Sequence, residues 1–230
     1  MNYKAIIFDL DGTIIDTDHV WRRARNQIIS NRGHELTPED EAYLDHHLAG
    51  MDTLKSCQII KDLIQTDDSV EILMKEKIAL ACQLYQTSIC FIEGFIEFHA
   101  KARAIPLKMG VATNANAQTV MVTEKKLNLT HYFEHHIYTI NHVDNRGKPD
   151  PAIYLYAAKQ LGVAPKECIA IEDSAHGILA AQLAGMLCIG INSSKKPEQI
   201  EKADITVNGY HEIILDKLLY SYETNATHPE

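Results

Sequence analysis

Cysteine is scarce and carries no pairing pattern: Cys57, Cys82, Cys90, Cys168 and Cys188 are five in number, widely spaced and without a C-x-x-C pair. That distribution excludes a disulfide framework and a thiolate zinc site, and it fits reduced thiols in a reducing compartment. Basic charge is also short. With 22 Lys+Arg against 31 Asp+Glu the formal charge is −9, so a general affinity for nucleic acid or for an anionic membrane surface would work against the protein's own field. Neither a polynucleotide nor a membrane is expected as a partner. No window approaches the ~20 apolar residues that a membrane span needs. The apolar run at the N-terminus stops at Asp9, well short of a signal peptide's hydrophobic segment. Glycosylation-type triplets begin at Asn128, Asn192 and Asn225, but without a secretory signal they are chance matches. No internal repeat and no low-complexity tract interrupts the chain. The expectation is a soluble, cytoplasmic protein, with a monomer as the default because nothing marks an obligate interface.

What is present is a core. Hydrophobic residues make up 46% of 230, enough to bury a sizeable interior. Short Val- and Ile-rich runs alternate with segments of helical periodicity, the pattern of a parallel sheet covered by helices. Strands are predicted over 4–8, 107–112, 136–140, 168–171, 187–191 and 205–207, and helices over 95–104, 116–127, 151–161, 175–184 and 211–220. Asp150 ahead of Pro151, Gly162 after 151–161 and Gly185 after 175–184 act as start and stop signals. The alternation fails over 16–87, which reads as helices without a strand. Such a stretch behind the first strand is expected to form a separate small domain, so the chain divides into 1–15 with 88–230 and an inserted 16–87. Its junctions would fall at 16–19 and 87–93. The polar residues 221–230 read as a frayed tail.

The acids are placed pointedly. The first strand runs into Asp9-Leu10-Asp11-Gly12-Thr13, which puts two carboxylates at a strand's carboxyl end, where open parallel sheets bind ligands. Glu172-Asp173 follows the strand 168–171 in the same way. If these strands are neighbours, the acids converge, and their repulsion calls for a divalent cation or a shared proton. Hard oxygen ligands without a His or Cys cluster favour Mg²⁺ over zinc. Thr113-Asn114 stands between a strand and a helix, where a hydroxyl and free N–H groups make an anion site. Lys148, in Gly147-Lys148-Pro149-Asp150-Pro151, adds a cation in a stiff loop. Together these groups describe a site for phosphoryl transfer.

The same four segments, Asp9-Leu10-Asp11-Gly12-Thr13, Ala112-Thr113-Asn114, Lys148-Pro149-Asp150-Pro151 and Ile171-Glu172-Asp173-Ser174, resemble in order the four motifs of the haloacid dehalogenase superfamily. The helical insert is similar in position to the cap of the branch that contains β-phosphoglucomutase and the small sugar-phosphate phosphatases. The resemblance implies a Rossmann-like α/β core with a helical cap domain and a phosphorylated metabolite as substrate. By it, Asp9 is the nucleophile that forms an aspartyl-phosphate, and Asp11 is the acid and base. Asp9, the Asp11 backbone carbonyl and Asp173 hold Mg²⁺, with Glu172 as a further metal ligand or one step behind the ligands, and Thr113, the Asn114 N–H and Lys148 receive the phosphoryl oxygens. The mutases of this branch are similar in layout but carry a cap Arg three residues after a Gly, and a His soon after the Asp-Thr pair. Here those places hold Thr53 and Trp21. That favours a phosphatase, with a β-phosphoglucomutase-like phosphomutase as the alternative and an idle phosphoryl-binding module as a third reading.

Other residues are read more plainly. His46-His47 and His135-His136 cannot both face one ion from a regular helix or strand, so they are taken as surface residues. His47 is excepted as a substrate contact because its segment would overhang the site. Lys55, Lys75, Lys77 and Arg22-Arg23-Arg25 are read as solvated or paired charges. Trp21 and Ile89-Cys90-Phe91-Ile92 are expected to pack where insert and core meet. Asn116 is read as a helix or turn cap.

Overall fold

The computed structural model describes residues 3–48 and 50–220; the predicted tail over 221–230 lies outside them. Six parallel strands form one sheet: β1 (Ala5–Phe8), β2 (Lys108–Thr113), β3 (Ile137–Thr139), β4 (Cys168–Glu172), β5 (Leu187–Ile191) and β6 (Ile205–Val207), in the order β3-β2-β1-β4-β5-β6. β1 is central and wholly buried, and every residue of its Ala-Ile-Ile-Phe run faces helices on one side or the other. Its register pairs Phe8 with Val111 of β2 and with Ile171 of β4. The strands therefore end level, and the residues that follow them emerge side by side.

Two cores flank the sheet. Ile7, Ala112, Ile153, Tyr154 and Ile178 belong to one, and Ile6, Phe8, Phe95, Phe98, Phe133 and Tyr210 to the other. Phe8 meets the rings of Phe95, Phe98 and Phe133 edge-on at 5.6–6.2 Å, a preferred aromatic geometry.

Four helices occupy the stretch between β1 and β2 that lacked strand character: α1 (Asp18–Ser30), α2 (Pro38–His47), α3 (Thr53–Ile64) and α4 (Val70–Ser88). Thr37, Asp52 and Ser69 cap α2, α3 and α4 by accepting a backbone N–H three residues on. Ile28, Leu44, Cys57, Ile60 and Leu73 close a small core among these helices, while Val20, Ala24, Ala81, Tyr85 and Ile89 close another. The chain leaves and re-enters the sheet domain along a short paired seam. Asp16 N donates to Cys90 O at 3.0 Å, Ile92 N donates to Ile14 O at 2.9 Å, and Ile15 bridges Phe91. The 89–92 run thus packs at the junction, as its composition predicts.

The remaining helices are α5 (Phe95–Arg103), α6 (Ala117–Leu127), α7 (Thr130–Phe133), α8 (Ala152–Leu161), α9 (Ala175–Leu183) and α10 (Leu215–Tyr220). Asn116 caps α6, and Asp150 accepts from Ala152 N at 2.8 Å where α8 starts. The helix predicted over 211–220 is broken. Ile213 is extended and buried, so a short 3₁₀ turn precedes it and α10 starts two residues after it. His135 and His136 lie at the surface just past a helix end, as read. They lie in the turn between α7 and β3 rather than on a regular element, and Glu134 and both rings bring ligand atoms within 4.8 Å of one another. His136 Nδ1 is already engaged by the Tyr138 hydroxyl at 2.7 Å. The five cysteines are free. Among the described residues no helix is long and apolar enough to cross a membrane.

Candidate active site

The level strand ends bring the predicted acids together. Asp9 follows β1, and its N–H donates to Ile171 O at 2.9 Å, carrying the β1–β4 pairing one residue past the strand. Glu172 closes β4 and Asp173 follows it, so Asp9, Glu172 and Asp173 bring carboxylate oxygens within 4.8 Å of one another. Gly12 makes the turn beneath them at φ +85°, and a Cβ there would overlap the Asp173 carboxylate. Its carbonyl accepts from the Ser193 hydroxyl, and Thr13 Oγ1 donates to Asp173 Oδ1 at 3.4 Å.

Lys148 is 1% exposed and stands among these acids. Its Nζ donates to Asp9 Oδ1 at 2.5 Å and to Glu172 Oε1 at 2.6 Å. Tyr154, one turn into α8, sends its hydroxyl to the same Glu172 oxygen at 2.7 Å. The other Glu172 oxygen accepts from Asp173 N at 3.2 Å and from Ser174 Oγ at 3.3 Å. Both oxygens of this fully buried carboxylate are therefore engaged by the protein, and it anchors Lys148 against Asp9. Burial pushes the Asp9 carboxyl up, Lys148 opposes that rise, and Glu172 and Asp11 add to it. Burial, Asp9 and Glu172 raise Asp173 in the same sense. The acids thus exceed the single buried cation among them, and a hard divalent cation fits an all-oxygen donor set that lacks charge compensation.

Beside this group, Thr113 is 1% exposed at the end of β2. Its Oγ1 accepts from Ala115 N at 2.9 Å, which leaves its own proton to donate. Asn114 lines the cavity, but its side chain is committed elsewhere: Oδ1 accepts from Lys148 N at 2.9 Å and Nδ2 donates to Gly50 O at 2.9 Å. Its contribution to an anion is therefore confined to the backbone, as the sequence reading assigns it. Gly50 itself, at φ +66°, lies so close to Ser174 that a Cβ would overlap it. The loop ahead of α3 is pinned to the sheet domain at these two contacts.

The helices roof the site. A cavity of about 170 Å³ has Asp9, Asp11, Thr113 and Asp173 in its floor and Trp21, Arg25, Met51, Thr53 and Lys77 among its upper residues. Asp11 is held from above. Its Oδ1 accepts from Trp21 Nε1 at 3.1 Å and from the Tyr85 hydroxyl, and the two rings meet edge-on at 5.9 Å. Burial, with Asp11 adjacent, holds the Tyr85 phenol well above its ordinary value, so it stays a donor.

Three expectations fail here. His47 does not reach the cavity: it is exposed, its Nδ1 is bonded to Tyr43 O at 2.8 Å, and its ring lies 4.2 Å from the Tyr43 ring on the outer side of α2. The residues of this segment that line the cavity are Leu44, Asp45, Leu48, Gly50 and Met51. Arg25 is paired with Asp45 at 2.7 Å, as read, but neither it nor Lys77 is a solvated charge. They are 3% and 5% exposed, because α1 and α4 pack face to face and turn these side chains inward. Trp21 is more than packing, since its N–H belongs to Asp11. Sequence reasoning also missed Tyr154, Tyr85 and the Ser193–Ser194 pair. Only the last had a signal, since it follows β5 at the same strand-end level as the acids. Lys55 and Arg22 behave as read, paired with Asp52 at 3.2 Å and with Asp18 at 2.9 Å.

Comparison with known proteins agrees with this geometry. The family model for haloacid dehalogenase-like hydrolases matches residues 6–191. The chain is similar to validoxylamine A 7'-phosphate phosphatase of Streptomyces hygroscopicus subsp. limoneus, 29% identical over 216 residues that cover 92% of this chain and 96% of that one. It is similar also to fructose-1-phosphate phosphatase YqaB of Escherichia coli K12, 29% identical over 192 residues, 82% of this chain and 96% of that one. In fold it is similar to β-phosphoglucomutase from Clostridium difficile, with a TM-score of 0.79 at 23% identity over 94% of this chain and 95% of that one. With its four motifs gathered at the strand ends beneath a helical cap, the chain belongs to the haloacid dehalogenase-like hydrolases and is an enzyme of their phosphatase branch.

Proposed function

We propose that this enzyme is a Mg²⁺-dependent phosphatase that hydrolyses small phosphorylated metabolites, sugar phosphates foremost, through an aspartyl-phosphate on Asp9. The observation that carries the reading is the convergence of Asp9, Asp173 and Glu172 on one point, with Lys148 buried between Asp9 and Glu172. The small cavity supports a small substrate, since drug-sized ligands occupy ~300–1,000 Å³.

Lys148 fixes one Asp9 oxygen, so the carboxylate is oriented before substrate arrives and loses little freedom on attack. Asp9 attacks phosphorus, and the bond to the leaving oxygen breaks as the new bond forms. Asp11 gives that oxygen a proton, and in the second step takes one from the water that attacks phosphorus as the bond to the Asp9 oxygen breaks, which frees inorganic phosphate and restores the carboxylate. Trp21 and Tyr85 hold Asp11 over the site while it alternates. The Thr113 hydroxyl, the Asn114 N–H and the Lys148 ammonium stabilise the equatorial oxygens, whose charge grows in the transition state. Asp9, Asp173 and the Asp11 carbonyl would hold Mg²⁺, which supplies charge neutralisation for an anionic ester approaching a carboxylate. Glu172 acts through Lys148. The seam of residues 14–16 and 90–92 is the hinge between the domains 1–15 with 88–230 and 16–87, on which the cap opens to release product.

Release of inorganic phosphate from a panel of small phosphate esters, with and without Mg²⁺ and with Asp9→Asn as the blank, tests this reading. Metal-dependent release absent from the blank is expected. An isomerised sugar phosphate with little free phosphate would establish the phosphomutase instead.

A further inference from the structure

We infer that Arg25 and Lys77 form an anion-binding subsite in the cap wall of the cavity, which receives a carboxylate or second phosphate at the end of the substrate remote from the ester that is cleaved. The inference rests on the proposed phosphatase reading for what occupies the floor of the cavity, and it names the class of substrate.

Both residues are buried and line that cavity, and both are short of acceptors. The Arg25 guanidinium donates from Nε to Asn26 Oδ1 at 2.9 Å and from Nη1 to Asp45 Oδ1 at 2.7 Å. Its Nη2 is buried without a partner. Asp45, the carboxylate that Arg25 uses, is shared with Arg22 at 3.2 Å. Lys77 has three N–H donors, and one of them goes to a neutral oxygen, Ser56 Oγ at 2.8 Å. Its charge otherwise lies over the Trp21 ring, 5.6 Å from the centroid. Among the described residues no carboxylate forms an ion pair with it.

A buried donor without an acceptor and a buried ammonium without an ion-pair partner each cost stability, and placing two cations within reach of each other adds to that cost. Burial and, after it, Arg25 hold the Lys77 ammonium below its ordinary value, with Cys57 and Asp52 acting the other way. An anionic group of the substrate supplies what both lack.

The position suits the far end of a substrate. Trp21 lies one turn before Arg25 on α1. Its indole N–H reaches Asp11 while its face carries Lys77. A substrate with its phosphoryl group at Asp9 and its leaving oxygen at Asp11 therefore directs its carbon chain past Trp21 toward Arg25 and Lys77. A neutral sugar tail offers hydroxyl oxygens to accept from Nη2 and the ammonium, but no counter-charge.

The test compares a hexose monophosphate, the aldonic acid of the same monophosphate and the hexose bisphosphate. Wild-type kcat/KM is expected to be about tenfold or more higher for an ester with an anionic tail than for the neutral one. Lys77→Met and Arg25→Gln are each expected to bring that ratio down toward one, mainly through a higher KM for the anionic-tailed esters. Preference for the acid or for the bisphosphate identifies which anion the subsite takes, and either supports it. A wild-type ratio near one, or variants that lower all three esters alike, would overturn it.

A binding arm does not depend on turnover. Trp21 is the one tryptophan of the chain, so its fluorescence follows titration of Asp9→Asn protein with the aldonic acid monophosphate. Adding Lys77→Met should weaken that Kd about tenfold, and an unchanged Kd would overturn the subsite. Binding that discriminates without turnover of any ester would instead remove the phosphatase reading and leave the subsite standing. Circular dichroism checks each variant, and Arg25→Gln carries the test if Lys77→Met does not fold.

Discussion

The floor and the roof of the cavity are built on opposite terms. In the floor, Lys148 is matched by two carboxylates at 2.5 and 2.6 Å, and Glu172 has a protein donor for both oxygens. In the roof, Lys77 meets one neutral hydroxyl, and Arg25 keeps an unpartnered Nη2. The floor carries surplus negative charge, while the roof holds the buried cations Arg25 and Lys77. A closed hydrogen-bond network fixes reacting groups within tenths of an ångström, while an open one leaves capacity for whatever enters. On the proposed reading, chemistry belongs to the floor and selectivity to the roof.

The sharpest way to break this division is to strike the floor. Asp9→Asn should lower phosphate release by about four orders of magnitude or more, as loss of a catalytic nucleophile does, with far-ultraviolet circular dichroism unchanged. Activity within tenfold of wild type would remove Asp9 from the chemistry. Lys148→Met should act on stability as well as rate. It leaves Asp9 and Glu172 buried without their cation, and breaking a buried pair costs about 3–5 kcal/mol, visible as a lower midpoint in urea at neutral pH.

Where floor and roof meet, the effect should be intermediate. Trp21→Phe keeps the ring against Tyr85 but deletes the N–H on Asp11. A hydrogen bond to a charged group is worth about 1.5–3 kcal/mol, so if that energy is realised at the reacting acid kcat should fall roughly tenfold to hundredfold, with a drop of several degrees in melting temperature beside it. A change confined to KM would show that Trp21 merely lines the cavity. At the outer edge of the roof, His47→Ala should do least, within about 0.5 kcal/mol in stability and with the activity of the wild type. A marked loss of rate in that variant would put α2's outer side back into the site.

The floor was legible because each of its parts is local. Asp9 and Asp11 are the end of one strand and its turn, Glu172 and Asp173 the end of another, and Thr113 the end of a third. The parallel β1–β2 and β1–β4 registers then leave little freedom in how they meet. Helical periodicity over 16–87 likewise announced α1 to α4. It did not announce which face of each would be covered. Arg25 and Lys77 read as charges on helix surfaces, and burial came from the packing of α1 on α4, which no spacing within either helix specifies. Asn114 shows the same limit from the other side. Its place at a strand end was readable, yet only the fold sends its side chain to Gly50 and Lys148 rather than to substrate. His47 failed because a segment's overhang was inferred without the direction of its side chains, which on α2 alternate between cavity and solvent within one turn.

What the sequence determined by itself was the alternation that makes a parallel sheet, the helical insert behind its first strand, and the acids and lysine that converge at the strand ends. Those follow from short-range rules: strand period, turn chemistry and the emergence of ligands from carboxyl ends. The tertiary structure alone decided that Trp21 and Tyr85 grip Asp11, that Tyr154 and Glu172 lock Lys148, and that Arg25 and Lys77 turn inward. Each of those contacts joins segments distant along the chain, and their partners are set by which helix faces bury against each other, a choice made by the packing of the whole molecule.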